Sequence, residues 1–179
     1  FYLDPGMAFG TGNHETTKLC LEAIVAIKNG KGSKNQNPES FLDLGCGSGI
    51  IAITAKLLGY DRVEGIDIDP DAVRIALENA TLNSIPDISF HSCSIDGVDR
   101  KVHYDVVVAN IQTHVLRDFS EKILNLVQSK GILILSGILT KEVNELGRHY
   151  QDKIKILGKE AHIETKSLNE WSSITLRYA

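Results

Sequence analysis

Three groups of residues in this chain have the types and spacings that hold a polyhydroxylated ligand and an amine. Gly45, Gly47 and Gly49 stand in the run 41–49, FLDLGCGSG, followed at once by the apolar Ile50, Ile51, Ala52 and Ile53. Glycine tolerates positive φ and lets a ligand approach the backbone. A helix starting behind such a turn aims its free N–H groups at that ligand. Asp67 lies in VEGIDID, 22 positions after Gly45. Its two oxygens match the two neighbouring hydroxyls of a ribose. Glycine turn, helix and a carboxylate about twenty residues on are the layout of a nucleotide-type cofactor site. Asn110 closes YDVVVAN. Its side-chain oxygen can accept from an amine and hold the lone pair in one direction. The alternative is a turn residue bonded to its own backbone.

The glycine spacing selects among cofactors. A dinucleotide fingerprint, GxGxxG, needs glycine at position 50, and that residue is Ile50. This argues against a nicotinamide-dependent dehydrogenase. The GxGxG present here resembles the first motif of class I S-adenosylmethionine-dependent methyltransferases. Asp43, two residues before the first glycine, fits that motif and can orient the glycine loop by accepting its N–H groups.

The elements that must position these residues alternate along the chain. Strands are expected at 41–45, 63–67, 88–92, 104–110 and 131–136, with helices at 15–28, 49–58, 70–83, 114–128 and 140–150. Asp69 is the expected N-cap of the third helix, with Pro70 at its first position, where a missing N–H costs nothing. The run 104–110 is apolar throughout, as in a strand buried on both faces. Two further strand-like runs, 154–158 and 172–178, close the chain as an antiparallel hairpin across a polar stretch at 159–170. Repeated βα alternation predicts an α/β fold with a mainly parallel sheet. In such sheets ligands sit beyond the carboxyl ends of the strands. Gly45, Asp67, Ser94 and Asn110 all fall there. The glycine-rich 1–17 reads as a structured loop against a ligand, with Asn13 capping the helix that follows. The polar tract 29–40 reads as a mobile surface loop.

At 179 residues the chain fits one domain. Its 42% hydrophobic and 23% charged residues are ordinary for a globular protein. A net charge of −4 leaves no basic footprint for direct nucleic-acid binding. No apolar run reaches membrane-spanning length. Cys20, Cys46 and Cys93 are odd in number and lack CxxC spacing, which points to a reducing, cytoplasmic compartment rather than a disulfide or metal framework. HExxH would need histidine at 18, which is Lys18, so no metal is expected. The chain starts at Phe1 inside a motif, which carries the expectation that an N-terminal segment has been removed.

Five blocks together resemble one family: LDPGMAFGTGNHETT (3–17), LDLGCGSGIIAI (42–53), GIDIDPDAV (65–73), VVANI (107–111) and LSGIL (135–139). They are similar to the PrmA-type methyltransferases, which methylate amino groups of ribosomal protein L-eleven. The likeness runs over essentially the whole chain, including the closing Glu170-Trp171 and Ile174–Leu176. It implies a Rossmann-like, seven-stranded class I sheet with its last strand antiparallel. It also implies S-adenosylmethionine as cofactor, with S-adenosylhomocysteine as product, and cofactor contacts at Thr17, Gly45, Asp67 and Asn110. The family carries an N-terminal substrate-recognition domain that this chain lacks, so 1–179 corresponds to the methyltransferase domain. The family's Asn-Ile-Leu is here Asn110-Ile111-Gln112, which touches the substrate pocket. A related lysine methyltransferase acting on another protein, and a non-catalytic adenosyl-binding module, stay open beside the main reading.

Further assignments follow from these. Gly47 joins Gly45 under the cofactor, and Ser94 lies on the same edge. Phe9 either covers the cofactor or anchors its loop. His14 and Gln112 are candidates for the substrate side, His14 with the alternative of a surface or capping role. Cys46 is expected to be a small filler of the glycine turn. Trp171 either packs under the edge strand or sits near the acceptor channel. The expected chemistry is methyl transfer to a lysine or N-terminal amine, with Asn110 orienting the nucleophile and no essential general base. A lysine pKa near about 10.4 falls when the ammonium loses its solvent.

Overall fold

The computed structural model describes residues 15–30, 38–99 and 101–179. The expected roles of Phe9, Asn13 and His14, and most of the 29–40 tract, lie outside them. In chain order the elements are α1 (Glu15–Lys28), β1 (Ser40–Leu44), α2 (Ile50–Leu57), β2 (Arg62–Asp67), α3 (Pro70–Leu82), β3 (Ser89–Ser92), β4 (Tyr104–Asn110), α4 (Thr113–Asp118), α5 (Ser120–Asn125), β5 (Val127–Leu139), α6 (Val143–Ile156), β6 (Ala161–Leu168) and β7 (Trp171–Tyr178). A single 3₁₀ turn, Ile95–Gly97, follows β3.

The seven strands form one sheet in the order β3-β2-β1-β4-β5-β7-β6. Pairing is parallel from β3 to β5 and antiparallel for β5–β7 and β7–β6. Strand β7 is therefore the one that runs against the rest, as expected for the last strand. The order turns back at β1, and β1 and β4 lie side by side there. That is the switch point where the ends of neighbouring strands separate and leave a crevice.

Each face of the sheet carries its own core. Phe41, Val63, Val106, Val108, Ile132 and Ile134 pack against α1, α2 and α3. Leu42, Leu44, Ile66, Val107, Leu133 and Leu135 pack against α4, α5 and α6. Both alternate sets of β4 are buried, which explains its unbroken apolar run. Asp69 caps α3, its side chain accepting from the Asp71 N–H at 2.9 Å, with Pro70 in the first turn.

The segment expected as one helix over 114–128 is two short ones, broken at Phe119, and its end from Val127 belongs to β5. The run 154–158 is not a strand. Residues up to Ile156 continue α6, because Val143, Leu146, Tyr150 and Ile154 form one buried helical stripe. The sixth strand occupies the polar stretch instead. It is an edge strand with most side chains exposed, so no apolar alternation marks it.

Candidate active site

The site grows from the turn after β1. Gly45, Gly47 and Gly49 all take positive φ, at 72°, 52° and 78°. The N–H groups of Gly45 and Cys46 donate to the Ile66 carbonyl at 2.8 and 2.9 Å, which ties the turn to the end of β2. A Cβ on Gly49 would come within 2.9 Å of the Ala76 methyl, so this glycine serves the packing of α2 on α3. Gly47 donates its N–H to Asp67 Oδ2 at 2.9 Å, and Asp69 donates to Oδ1 at 3.0 Å. The Asp67 carboxylate is thus fixed by two backbone donors. Each oxygen keeps a lone pair for a further donor.

Asp43 does not hold the glycine loop. Its Oδ2 accepts from the Ala52 N–H in the first turn of α2, at 3.1 Å. Gly49 supplies no side-chain cap, so the strand carboxylate takes that role. Asp43 is fully buried and its Oδ1 has no partner among the described residues. Burial raises its pKa to about 7; the Ala52 N–H lowers it and the nearby Asp67 charge raises it.

Asn110 ends β4 beside this turn. Its Nδ2 donates to Thr17 Oγ1 at 3.4 Å, and its Oδ1 is buried with no partner among the described residues. Thr17 is fully buried in the first turn of α1. The Ser136 hydroxyl, at the β5 position paired with Asn110, donates to the Thr16 carbonyl at 3.0 Å. These contacts seat α1 against the ends of β4 and β5.

Thr17, Gly45, Gly47, Asp67, Ser94, Asn110 and Gln112 line a single cleft of about 730 Å³ at the carboxyl ends of the parallel strands. The volume lies in the range of small-molecule pockets. Sequence reasoning did not assign Ile68, Ile95, Val115 or Phe119, which give the cleft apolar walls. Ile68 carried a usable signal: an apolar residue directly after the strand-end carboxylate of Asp67, and 77% exposed. Trp171 lines the same cleft, because reversal of β7 brings its first residue to this edge. Among the described lining residues only Asp67, Cys46 and Cys93 are titratable. Burial raises both thiols, and for Cys46 the Asp43 and Asp67 charges raise it further. Cys46 is a buried filler, as expected. No group of three or more metal-ligating side chains occurs among the described residues.

Sheet order, a reversed β7 and a glycine turn facing a carboxylate on the next strand define the class I methyltransferase architecture. Residues 1–178 match the family described as ribosomal protein L11 methyltransferase (PrmA). A ribosomal protein L11 methyltransferase of Thiobacillus denitrificans is 46% identical over 149 residues, which is 83% of this chain and 47% of that protein. The crystal structure of a ribosomal protein L11 methylase from Lactobacillus delbrueckii subsp. bulgaricus matches with a TM-score of 0.83 at 30% identity, over 98% of this chain and 83% of that one. A magnesium protoporphyrin IX methyltransferase of Synechocystis PCC 6803, solved with bound S-adenosylmethionine, shares the fold alone: TM-score 0.70 at 20% identity, over 95% of this chain and 86% of that one. The chain belongs to the ribosomal protein L11 methyltransferase family. It spans about half the length of the curated relatives it matches.

Proposed function

We propose that this chain binds S-adenosylmethionine and directs methyl transfer to amino groups, lysine side chains or an N-terminal amine, of ribosomal protein L11. The observation that carries the reading is the buried Asn110 Oδ1, without a partner among the described residues, in the same cleft as the Gly45–Gly47 turn and Asp67. The residues fit the cofactor. Asp67 has acceptor capacity for the ribose hydroxyls. Ile68 and Ile95 offer apolar surface to an adenine, and Gly45 and Gly47 bring side-chain-free backbone to the cleft wall. Thr17 and Ser94 complete the polar lining. When bound, S-adenosylmethionine supplies an activated methyl group to a nucleophile.

The chain's own residues do the rest. Asn110 Oδ1 accepts a hydrogen from the acceptor amine and holds its lone pair in line, while Nδ2, bonded to Thr17, keeps the amide from rotating. Trp171 and Gln112 form part of the wall on the acceptor side. The apolar lining disfavours an ammonium, so the amine enters neutral. No general base is assigned. Asp67 is already engaged by two backbone N–H groups, and burial keeps the Cys46 thiol protonated.

Gln112, exposed and lining the cleft, supports a second reading: a lysine methyltransferase that acts on a different protein. In both readings the enzyme is cytoplasmic. Among the described residues no helix is long and apolar enough to cross a membrane.

Thermal unfolding with S-adenosylhomocysteine tests the cofactor. At 100 times Kd a ligand adds about 2.7 kcal/mol, a rise of roughly 5–11 °C for a chain of this size. A rise with this compound and none with NADH is expected. No rise, or a rise with NADH alone, overturns the assignment. Radiolabelled methyl transfer to ribosomal protein L11, beside an unrelated lysine-rich protein, then separates the two substrate readings.

A further inference from the structure

The block 135–139, LSGIL, is the end of β5, beside the cleft. Its centre, Gly137, has φ +79° and lines the cleft. Strand β5 pairs with β7 through Leu135 and resumes at Ile138, so Gly137 sits in a bulge. Bulges of this kind re-aim the chain beside functional sites.

What Gly137 faces is specific. A Cβ there would stand 2.4 Å from the carbonyl oxygen of Ile111, 3.0 Å from its carbonyl carbon and 3.2 Å from its nitrogen. These are three backbone atoms of one residue, and no side-chain rotation relieves the overlap. On its other side Ile111 meets the cofactor turn. A Cβ on Gly45 would lie 2.3 Å from Ile111 Cγ2. Ile111 is therefore seated between two glycines, one from the turn after β1 and one from the bulge in β5. It directly follows Asn110, whose Oδ1, without a partner among the described residues, is the orienting atom.

We propose that Gly137 is a positioning residue: the bare backbone of the β5 bulge seats Ile111 and so sets where Asn110 stands relative to the Gly45 turn. The inference rests on the role of Asn110 proposed above. Ordinary van der Waals contact begins near 3.4 Å, so a methyl at Gly137 must drive the Ile111 backbone away by about 1 Å. A displacement of that size costs on the order of 10²-fold in rate where two reacting groups must be aligned. The glycine turn is hydrogen-bonded to the Ile66 carbonyl, and Asp67 to the Gly47 and Asp69 N–H groups, rather than to the bulge, so cofactor affinity is expected to hold.

The test is Gly137→Ala beside Gly59→Ala. Gly59 has φ +82° with nothing within 4 Å of a built Cβ, so it carries the same backbone strain without the clash. Two properties are read: S-adenosylhomocysteine affinity by calorimetry, and single-turnover methyl transfer to ribosomal protein L11. A crystal structure of G137A is the third readout. The expected result is transfer lowered about 10²-fold in G137A, affinity within threefold of wild type, 110–112 displaced with 45–49 in place, and G59A like wild type in transfer. Transfer within threefold of wild type, an equal loss in G59A, or an unmoved 110–112 segment overturns the proposal. If G137A does not fold, Gly137→Asn, whose side chain tolerates the left-handed region but keeps the Cβ that meets the Ile111 backbone, is expected to lower transfer about 10²-fold at unchanged affinity. Wild-type transfer in that variant overturns the proposal equally. A wild-type chain that binds cofactor but transfers nothing to L11 refutes the substrate reading instead, and the displacement in the crystal structure still decides the positioning role.

Discussion

Asp67 and Asn110 stand on one edge of one sheet, yet their surroundings give them separable tasks. Asp67 is tied to the glycine turn by the Gly47 N–H group and to the start of α3 by the Asp69 N–H group. Asn110 is tied to α1 through Thr17, and its Oδ1 has no partner among the described residues. Removing a charged hydrogen-bond acceptor costs about 1.5–3 kcal/mol. Asp67→Ala is therefore expected to weaken S-adenosylhomocysteine binding by about 10–10²-fold. Asn110→Ala is expected to keep that affinity within a few fold and to lower methyl transfer by about 10²-fold. Calorimetry and single-turnover transfer on both variants check the division. Loss of affinity in N110A, or unchanged affinity in D67A, would exchange or remove the two roles.

At the scale of the element, helix α2 depends on a residue outside it. The first turn of α2 has no side-chain cap of its own, and Asp43 on β1 supplies the acceptor for the Ala52 N–H. The same carboxyl is fully buried, which raises its pKa to about 7. In the unfolded chain it titrates near about 3.9. Between those values the folded chain holds a proton that the unfolded chain has released. Stability contributed by this group is thus full below pH ~4, falls as pH rises toward about 7, and is constant above. Asp43→Asn keeps an acceptor for Ala52 and removes the buried charge. Its melting temperature is expected to match or exceed that of wild type at pH 8, and to lose the wild-type decline between pH 5 and 7. Parallel pH profiles for the two proteins would show that Asp43 does not titrate in this window.

Over the whole molecule, burial is graded from the middle of the sheet outward. Val106 to Ala109 in β4 are fully buried, whereas β3 and β6 form exposed edges. Local opening follows such gradients. Amide exchange is expected to be slowest at 106–109 and fastest in β3 and in the outward-facing amides of β6. Adding S-adenosylhomocysteine should slow exchange at 45–47 and 93–94. Uniform exchange across the sheet, or protection by ligand at a distant edge, would contradict both the graded core and the placement of the cleft.

The sequence by itself determined the α/β alternation, the glycine turn, the Asp69 cap and four residues at strand ends. These signals are local: glycines where φ is positive, apolar runs in strands buried on both faces, a proline in a helix's first turn. It misplaced the last hairpin, because β6 is a solvated edge with no apolar alternation and the stripe of α6 runs on through Ile154. It gave Asp43 to the glycine loop, when only packing of α2 on β1 brings the Ala52 N–H to it. Ile95 and Phe119 became walls of the cleft through tertiary structure alone, since they come from separate connections that meet only when the sheet forms. The seating of Ile111 between Gly45 and Gly137 was likewise decided there. Those three residues are far apart in the chain, and a side chain set against one glycine with its backbone set against another leaves no periodicity to read.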